Sequence, residues 1–566
     1  MVCCMNAKPD NEFDAVIVGS GAGGGAVAWR LAMAGKRVLV LEKGPWFSEA
    51  DFTKDELACC RRSVYTPDLR DEQHVIEERE GRAWSATPTL ESGWDFWNGN
   101  VVGGSSNFMS GFFHRLKPVD FRLRSEFGPI KGANVVDWPI DYDTLEPYYA
   151  EVERVVGVSG RVVPHAFLEP RSTPDFPYPP TAEHPVSAWI DTACAQLGYQ
   201  ALPLPRAILS QPKGQRRSCE YAGYCGSYGC STGAKGSSRA ALLDDAVATG
   251  RCEVRPHSQV FRLASDAKGR VKAVEYFDRD SRRQRVTAKV YVVGCQAIET
   301  SRLLLASTGP RHPRGLGNRY GQVGRNLVFS AGGVSHGRLV FGELDAERAA
   351  QARVVGPFLN RTLHDWYVID DPKLGRIKGG LLDFLMGHPN VISRALAERR
   401  DDDGNLVWGS AFKRRLETTI RGERRIDCES FADWLPTDNG FVALAAGVKD
   451  KWGRPVARIR LAPHPHDLKV GRYLSERGAK VLQTLGAKDV VVSVSDSPPP
   501  NLVAGGCRFG RDPRASVLDP DCRMHGVDNL FVADASFMPT GGSVPYTWTI
   551  YANALRVGDR ILAQGV

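Results

Sequence analysis

The sequence D-A-V-I-V-G-S-G-A-G-G-G-A, from Asp14 to Ala26, predicts a strand, a glycine turn and a helix start in immediate succession. Its apolar run is typical of a buried parallel strand, and Gly19, Gly21 and Gly24 then complete G-x-G-x-x-G. The first glycine permits the tight turn, the second lets the backbone approach a pyrophosphate, and the third lets the helix lie close to the strand. The phosphates would bind the N–H groups at the helix N-terminus.

The residues that follow complete a β-α-β unit. We expect a helix from Ala26 to Ala34 that stops at Gly35, and a second strand from Arg37 to Leu41 that ends in Glu42. An acidic residue at this distance is placed to accept hydrogen bonds from the adenosine ribose hydroxyls, which argues against a 2′-phosphate. The stretch therefore predicts a dinucleotide site, and by itself it suits NAD or FAD.

Composition and charge exclude several classes of protein. The 566 residues allow two or more domains, and a net charge of +8 spread along the chain gives nucleic-acid binding little support. We expect no export signal and no membrane span, because the start is not signal-like and no 18-residue apolar run occurs. The 13 cysteines suit reduced thiols or a metal centre better than a disulfide framework. We therefore expect a cytoplasmic protein, or a periplasmic one if a signal-bearing partner exports it.

Downstream patterns predict how the chain returns to this unit. Ser48 to Arg82 is polar with expected helix, and Gly160 to Pro205 reads as a long surface excursion. From Ser258 to Val293 three strand patterns predict an antiparallel meander that feeds back into a parallel sheet, and a helix follows Gly294. Further elements are expected as a strand at Val456 to Leu461, a helix at Asp467 to Leu485, a strand at Asn529 to Asp534 and a closing helix from about Thr549 to Leu562.

Four motifs in one order carry a family resemblance: G-S-G-A-G-G-G at Gly19, V-G-G-S-S at Val102, G-C-Q-A-I-E-T-S-R-L-L-L at Gly294, and N-L-F-V-A-D-A-S-F-M-P-T at Asn529. The chain resembles the glucose-methanol-choline (GMC) oxidoreductases, FAD enzymes that act on alcohols and sugars. Within that family, D-W-P-I-D-Y-D-T-L-E-P-Y-Y from Asp137 and a cysteine loop resemble the flavoprotein subunits of bacterial gluconate, fructose and glucose dehydrogenases.

The resemblance implies an α/β fold in which an FAD-binding Rossmann-like domain combines a parallel sheet with the three-stranded meander. A second, α+β substrate domain is built on an antiparallel sheet. The FAD-binding domain would then come in three parts, residues 1–160, 241–331 and 501–566. Between them lie an excursion with the cysteine loop at 161–240 and the substrate domain at 332–500.

The resemblance also assigns the cofactor site. FAD would contact Gly19, Gly21, Gly24, Glu42, Gly103, Gly104, Ser105, Ser106, Asn107, Val260, Asp534, Ala535 and Thr547. Asn107 stands where some relatives attach FAD covalently through a histidine, so we expect non-covalent FAD. The closing helix, preceded by Gly541, Gly542 and Ser543, would direct its positive N-terminus at the flavin and favour the anionic reduced form. Phe108, Met109, Phe112 and Phe113 would either wall the pocket or pack in the core.

A cysteine loop, C-E-Y-A-G-Y-C-G-S-Y-G-C, places Cys219, Cys225 and Cys230 within twelve residues. It resembles the loop that carries a three-iron (3Fe–4S) cluster in those dehydrogenase subunits. The alternative is three free or structural thiols. A cluster would pass electrons from reduced flavin to a redox partner, for which the resemblance suggests a small subunit or a cytochrome.

The catalytic end departs from the family pattern. Hydroxyl oxidation needs a base, usually histidine, yet Leu502 and Val544 occupy the two usual positions. Neither side chain can accept a proton. Asn501 and Tyr546 are the nearest polar neighbours in sequence and are the candidate site groups.

Two functions remain open at this point. The first is FAD-dependent oxidation of a small-molecule alcohol or sugar by hydride transfer to flavin N5. The second is an FAD-retaining lyase or isomerase that has lost alcohol oxidation. The cysteine loop favours the first, because a redox-neutral reaction has no use for an electron exit.

Overall fold

The computed structural model describes residues 12–57, 73–81, 83–92, 99–387, 390–401, 403–494, 497 and 501–566. Strands and helices are numbered along the chain. In these ranges the α-helices are α1 (Ala22–Met33), α2 (Thr89–Ser92), α3 (Leu123–Phe127), α4 (Tyr142–Val152), α5 (Val186–Leu197), α6 (Asp244–Ala248), α7 (Ala297–Ala306), α8 (Ala346–Arg353), α9 (Val391–Ala397), α10 (Gly409–Glu417), α11 (Pro465–Thr484) and α12 (Thr547–Leu562). No helix within those ranges is both long and apolar enough to cross a bilayer.

The first sheet is built around the opening stretch. Its strands are β1 (Glu12–Val18), β2 (Val38–Leu41), β6 (Cys252–Arg255), β7 (Gln259–Ser265), β8 (Val271–Phe277), β9 (Arg283–Val293) and β21 (Leu530–Val532). The order is β6-β2-β1-β9-β8-β7, with β21 beside β9. Strands β6, β2, β1, β9 and β21 pair in parallel, whereas β7, β8 and β9 form the predicted antiparallel meander.

Burial explains why these strands are apolar. Ala15 and Ile17 on β1 are both 0% exposed, because helices cover the parallel sheet. Helix α1 lies against α12, so the first and last helices of the domain share one core. The carboxyl ends of β1, β9 and β21 therefore meet at one edge, where ligands bind in open α/β sheets.

Two further sheets build the rest of the chain. The second has the order β20-β10-β17-β18-β3-β4 and the third the order β19-β11-β16-β15-β12-β5. Their strands are β3 (Val75–Glu80), β4 (Ala83–Pro88), β5 (Ala201–Pro203), β10 (Arg325–Phe329), β11 (Gly333–Val340), β12 (Arg361–Leu363), β15 (Gly380–Met386), β16 (Glu423–Ala432), β17 (Phe441–Lys449), β18 (Pro455–Arg460), β19 (Lys488–Ser493) and β20 (Val503–Gly506). A separate hairpin joins β13 (Val368–Asp371) to β14 (Gly375–Lys378).

The third sheet is wholly antiparallel and carries its own core. Helix α11 covers one of its faces, and α5 contacts α11. The molecule thus combines a Rossmann-like α/β unit containing a meander with an α+β unit on an antiparallel sheet, which confirms the predicted fold class.

One local prediction was right only in part and another was wrong. Within Ser48 to Arg82, expected to contain helix, the described part has a 3-10 turn at Glu49–Asp51 and helical residues at 56–57, but also β3, which pairs with β4. Residues 58–72 and 82 of that prediction lie outside the described residues. The stretch from Gly160 to Pro205 contains α5, which buries Val186 and Ile190 in the second core. A helix signal was present there, because Pro185 precedes α5 and Gly198 ends it in a left-handed conformation.

Candidate functional site

The glycine turn opens onto a cavity of about 370 Å³. Gly19 has a φ of 91°, and a Cβ on it would lie 2.4 Å from the Gly294 carbonyl oxygen. A Cβ on Gly24 would lie 1.9 Å from the Gly19 carbonyl oxygen, so both glycines permit close packing of backbone. Gly21 differs, because no heavy atom lies within 4 Å of a Cβ built on it. Its open side faces the cavity.

Glu42 is held at the cavity wall by the turn itself. The N–H and hydroxyl of Ser20 donate to Glu42 Oε2 at 3.0 and 2.6 Å, and the Gly44 N–H donates to Oε1 at 3.0 Å. A carboxylate offers about four acceptor positions, so one remains for a ligand hydroxyl. This position suits the ribose contact expected for Glu42.

The second glycine loop is tied to the first by serine hydroxyls. The Gly103 N–H donates to Ser20 Oγ at 2.9 Å, and the Ser106 hydroxyl donates to the Gly103 carbonyl oxygen at 2.6 Å. The Ser238 N–H donates in turn to Ser106 Oγ at 2.9 Å. These bonds hold one rim of the cavity rigidly against the other.

The expected cofactor residues divide into two groups. Those that line the cavity are Gly19, Gly21, Glu42, Gly104, Ser105, Ser106, Val260, Asp534, Ala535 and Thr547. Gly24, Gly103 and Asn107 lie behind the wall. The Asn107 amide donates to the Val102 and Gly104 carbonyl oxygens at 3.0 and 3.1 Å, so its side chain braces the loop.

Asp534, directly after β21, accepts hydrogen bonds at both of its carboxylate oxygens. The Thr300 hydroxyl donates to its Oδ2 at 2.5 Å, and the Ser536 N–H donates to its Oδ1 at 2.8 Å. Burial raises the pKa of Asp534, although these hydrogen bonds oppose the shift. The carboxyl therefore fixes the short turn that follows β21 and presents one edge to the cavity.

Sequence patterns did not indicate the far end of the cavity. There Phe261 on β7 meets the turn between β17 and β18, which contributes Asp450, Trp452 and Arg454. The Arg454 guanidinium lies 4.3 Å from the Phe261 ring centroid, and Trp452 stacks on Phe277 at 5.3 Å. Aromatic faces beside a cation suit a planar heterocycle. In the sequence, the feature that marks this end of the cavity is a tryptophan in a hairpin turn, far from the glycine motifs.

Lys43 also lines this part of the cavity, directly after Glu42. Burial lowers the pKa of Lys43, and the carboxylates of Glu299 and Glu42 oppose that shift. Glu299 in turn lies 3.1 Å from His74 Nε2 and forms an ion pair with Arg302 at 3.1 Å. The cavity wall near Glu42 thus carries side chains of both charges.

The opposite end of the cavity reaches the N-terminus of α12. Tyr546, Thr547 and Ile550 line it there, together with Asn501 and Leu502. Asn501 is exposed, whereas Tyr546 is 2% exposed. The Tyr546 hydroxyl has no hydrogen-bond partner among the described residues.

The two positions of the usual catalytic pair are both apolar in the structure. Leu502 has a φ of 54°, in the left-handed region that a leucine seldom adopts, and lines the cavity. Val544 is 0% exposed and belongs to the first core cluster. Phe108 and Met109 line the cavity, while Phe113 stacks on Trp548 in the core at 4.9 Å.

His464 and His525, two histidines in the C-terminal part of the chain, make structural contacts. His464 caps α11, because its Nδ1 accepts from the His466 N–H at 3.1 Å. His525 contacts the Ser516 hydroxyl at 3.1 Å and the Gly510 carbonyl oxygen at 3.2 Å. No histidine lines the cavity within the part of the chain that the structure describes.

The cysteine loop borders a second cavity, of about 110 Å³. Cys219, Cys225 and Cys230 all line it, together with the cationic side chains of Arg206 and Lys235. The Tyr221 N–H donates to Cys219 Sγ and the Lys235 N–H to Cys230 Sγ, each at 3.4 Å. No three His, Cys, Asp or Glu side chains in the described ranges are arranged to hold a metal ion.

The pKa values of the thiols reflect this setting. Burial raises the pKa of Cys219 to about 11, and the neighbouring Cys225 and Cys230 add to the shift. Burial acts in the same direction on Cys230, but the charge of Lys235 and several hydrogen bonds outweigh it and lower that pKa. The two cavities are neighbours, because Ser110 lines both.

Comparisons with known proteins agree with this geometry. Models of the GMC oxidoreductase family match residues 82–330 and 436–554, and a model of an NAD(P)-binding Rossmann-like domain matches residues 17–48. The 6′′′-hydroxyparomomycin C oxidase of Streptomyces lividus is 32% identical over 98% of this chain and 92% of its own length. The fructose dehydrogenase large subunit of Gluconobacter japonicus is 26% identical over 97% of each chain.

Among solved structures, a variant of formate oxidase from Aspergillus oryzae RIB40 matches with a TM-score of 0.62. It is 18% identical and the match covers 99% of both chains. At this identity the match shows a shared fold over the whole length.

Proposed function

The chain belongs to the GMC oxidoreductase family, whose members are FAD-dependent oxidases and dehydrogenases of alcohols and sugars, and we propose that it is a dehydrogenase of a sugar or sugar-like hydroxyl. The observation that carries this proposal is the continuous cavity from Gly21 to Tyr546. The names of the two relatives, an oxidase of 6′′′-hydroxyparomomycin C and a fructose dehydrogenase subunit, point to the substrate class.

The residues present fit FAD. Gly21 leaves room at the N-terminus of α1 for a pyrophosphate, and Glu42 retains an acceptor position for a ribose hydroxyl. Asn107 braces its loop instead of offering an attachment atom, which supports non-covalent binding. When bound, FAD supplies the hydride acceptor.

The chain's own residues have the remaining tasks at the α12 end. We propose that Asn501 and Tyr546 contact the substrate hydroxyl, because both line the cavity beside the N-terminus of α12. That helix has sixteen residues and its first turn holds no acidic side chain, so its N-terminal dipole favours negative charge in the cavity. The apolar side chain of Leu502 lines the same cavity.

Anaerobic mixing tests the activity. Sugars, polyols and simple alcohols are added to the purified holoprotein, and the visible flavin absorbance is followed. Bleaching by a hydroxyl compound, with formation of the carbonyl product, is expected. A flavin that remains oxidised in every mixture, while the protein interconverts a substrate without net oxidation, would establish a lyase or isomerase instead.

We further propose that the cysteine cavity binds an iron–sulfur cluster, which would supply an electron exit toward a redox partner subunit. Three thiols line one cavity beside cationic side chains, including Arg206 and Lys235, that offset thiolate charge, and Ser110 joins this cavity to the larger one. The side chains would need to rearrange around the cluster, because the described residues do not form a ligand cage for a metal ion.

Metal analysis of protein expressed and purified without oxygen tests the cluster separately from FAD. We expect iron and sulfide with an electron paramagnetic resonance signal after oxidation, and their loss in the variant with Cys219, Cys225 and Cys230 all replaced by Ser. Cys252→Ser is the matched control, because Cys252 is buried in β6. Iron-free wild-type protein that still reduces its flavin would refute the cluster and leave the oxidation intact.

A further inference from the structure

Two short helices between β15 and β16 form an excursion from the third sheet. Helix α9 begins at Val391, α10 ends at Glu417, and a turn at Thr418–Gly422 leads back to β16. None of the described residues in these three elements is buried. Helices of globular proteins gain most of their stability by burying an apolar face. The α9–α10 excursion, by contrast, adds no side chain to the two large cores of the molecule.

The excursion nevertheless carries large apolar side chains. Within the described residues, 13 large apolar side chains are exposed, and five of them lie between residues 391 and 408. Their exposed fractions are 43% for Val391, 41% for Ile392, 38% for Leu396, 62% for Leu406 and 78% for Trp408. Single exposed apolar residues are ordinary, whereas a group of them marks a surface that another molecule covers.

Polar contacts hold the excursion in place on the molecule. At the start of α9, the N–H groups of Ile392 and Ser393 donate to the two oxygens of the Glu56 carboxylate at 3.0 and 2.7 Å. The two helices are joined by an ion pair between Arg415 Nε and Glu398 Oε2 at 3.0 Å. The apolar side chains are therefore presented on a folded surface, although they take no part in the core.

Cationic side chains lie among these apolar ones. Residues 391–422 contain seven Arg and Lys and five Asp and Glu, and residues 409–422 contain four Arg and Lys and one Glu. The positive charge is thus concentrated on α10 and the turn that follows it. Four of the seven cations are exposed and form no ion pair with any described residue: Arg399, Lys413, Arg414 and Arg421. The surface therefore combines apolar side chains with positive charge that is free to meet a negative partner.

This combination suits a lipid surface better than a protein. Tryptophan is enriched at the level of the lipid headgroups, and long Lys and Arg side chains place their charge there while their stems cover apolar surface. The centre of a protein interface is instead depleted of charged residues, yet Lys413, Arg414 and Arg415 follow directly after Phe412. A second copy of this chain is also disfavoured, because each copy carries a net charge of +8 and a symmetric contact would bring the same cations together.

We propose that the α9–α10 excursion binds the surface of an anionic lipid bilayer. Leu406 and Trp408 enter the boundary between headgroups and acyl chains, and Lys413 and Arg414 contact the lipid phosphates. The excursion leaves β15 after Met386 and returns to β16, and residues at both junctions line the cysteine cavity, so the binding surface adjoins that cavity. The binding is peripheral and does not depend on the proposed oxidation or on an iron–sulfur cluster.

Co-sedimentation of the purified holoprotein with lipid vesicles tests the apolar part of the surface. The vesicles contain phosphatidylcholine alone or an equal mixture of phosphatidylcholine and phosphatidylglycerol. Binding should require the anionic lipid and should weaken as salt is added. The double variant Leu406→Ser, Trp408→Ser should bind the mixed vesicles about tenfold more weakly, because it removes apolar groups that enter the lipid. The matched control Met33→Ser, Val491→Ser, at side chains 55% and 50% exposed elsewhere, should bind like wild type.

The charged part of the surface is tested in the same way. Lys413→Gln, Arg414→Gln should bind the mixed vesicles about tenfold more weakly, because each cation near an anionic bilayer strengthens binding. The control removes the same two kinds of charge elsewhere, as Lys480→Gln, Arg285→Gln, since both side chains are exposed and form no ion pair with a described residue. This control should retain most of the wild-type affinity.

The outcomes are read by sedimentation and are therefore separate from flavin reduction. All substituted side chains are exposed, so the thermal unfolding midpoint and the flavin content of every variant should match the wild type. Wild-type protein that does not sediment with the mixed vesicles at low salt would overturn the proposal, as would equal losses of binding in the variants and their controls. A dimer in sedimentation velocity that Leu406→Ser, Trp408→Ser abolishes, without vesicle binding, would assign the surface to a second copy of the chain instead.

Discussion

Replacement of Gly21 by alanine separates cofactor binding from folding. The Gly21 backbone has φ −62° and ψ −168°, which alanine adopts without strain, and no heavy atom lies within 4 Å of the added Cβ. Replacing glycine by alanine stabilises the native state by about 0.4–1 kcal/mol, because it reduces the conformational entropy of the unfolded chain. It is a poorer N-cap than glycine by about the same amount. The two effects nearly cancel, so we expect little change in the apoprotein's unfolding midpoint.

The same methyl group should weaken FAD binding. It projects into the cavity at the N-terminus of α1, where the pyrophosphate would accept backbone hydrogen bonds. A hydrogen bond to a charged group contributes about 1.5–3 kcal/mol. The loss of one such bond therefore raises the FAD dissociation constant about 10- to 100-fold.

Flavin fluorescence titration and thermal unfolding measure the two quantities in parallel. Gly447→Ala serves as the neutral control, because it also adds a Cβ into open space, on the exposed part of β17. Gly24→Ala is the opposite control, since its Cβ would lie 1.9 Å from the Gly19 carbonyl oxygen and should destabilise the fold. Wild-type FAD affinity in Gly21→Ala would refute this placement of the pyrophosphate.

Further predictions concern the Trp452 end of the cavity and two helix N-termini. Trp452→Ala should weaken FAD binding about 2- to 10-fold, because aromatic stacking contributes about 0.5–1.5 kcal/mol. The control is Trp408→Ala, which should leave the FAD titration unchanged because the Trp408 side chain is 78% exposed. Burial raises the pKa of Asp467 to about 8, above its unfolded value near 3.8, so its ionisation lowers the stability of the native state as pH rises between those values. Asp467→Asn should therefore gain stability relative to wild type from pH 5 to pH 8 in thermal unfolding, and an unchanged difference would contradict the assignment. Hydrogen bonds from Thr144 lower the pKa of Asp141, so the ionised carboxylate stabilises the native state. Asp141→Ala should therefore be less stable than wild type at neutral pH. This loss of stability should shrink as the solution is acidified below about pH 4.

The parts of this molecule that could be predicted from sequence are those that local chemistry determines. Three glycines at this spacing after an apolar run predict a phosphate-binding turn from the local sequence alone. The expected strand, helix and strand around it are present as β1, α1 and β2. The meander and the return through Gly294 were also predictable, because alternating strands joined by short turns leave few arrangements.

Distant contacts were harder to predict. Trp452 and Arg454 reach the cavity from a hairpin about 430 residues after the glycine turn, and no local pattern marks them. The position of Asp433, directly after β16, was equally hard to predict from the sequence. A carboxylate at the end of a strand is ordinary in sequence, and only the fold places it beside Ser330, Ser543 and the N-terminus of α12. The helix α5 was missed for another reason. Prolines and glycines are frequent on both sides of it, and the whole stretch was therefore interpreted as irregular.

The most direct test of the central claim is an isotope measurement on flavin reduction. Holoprotein is mixed anaerobically with its best hydroxyl substrate, either unlabelled or deuterated at the carbinol carbon, and flavin absorbance and carbonyl product are followed together. Hydride transfer to FAD in this cavity predicts one carbonyl formed per flavin reduced, and a several-fold slower reduction with deuterium. Equal rates for the two substrates would contradict rate-limiting hydride transfer. Product formed without flavin reduction would contradict the account as a whole.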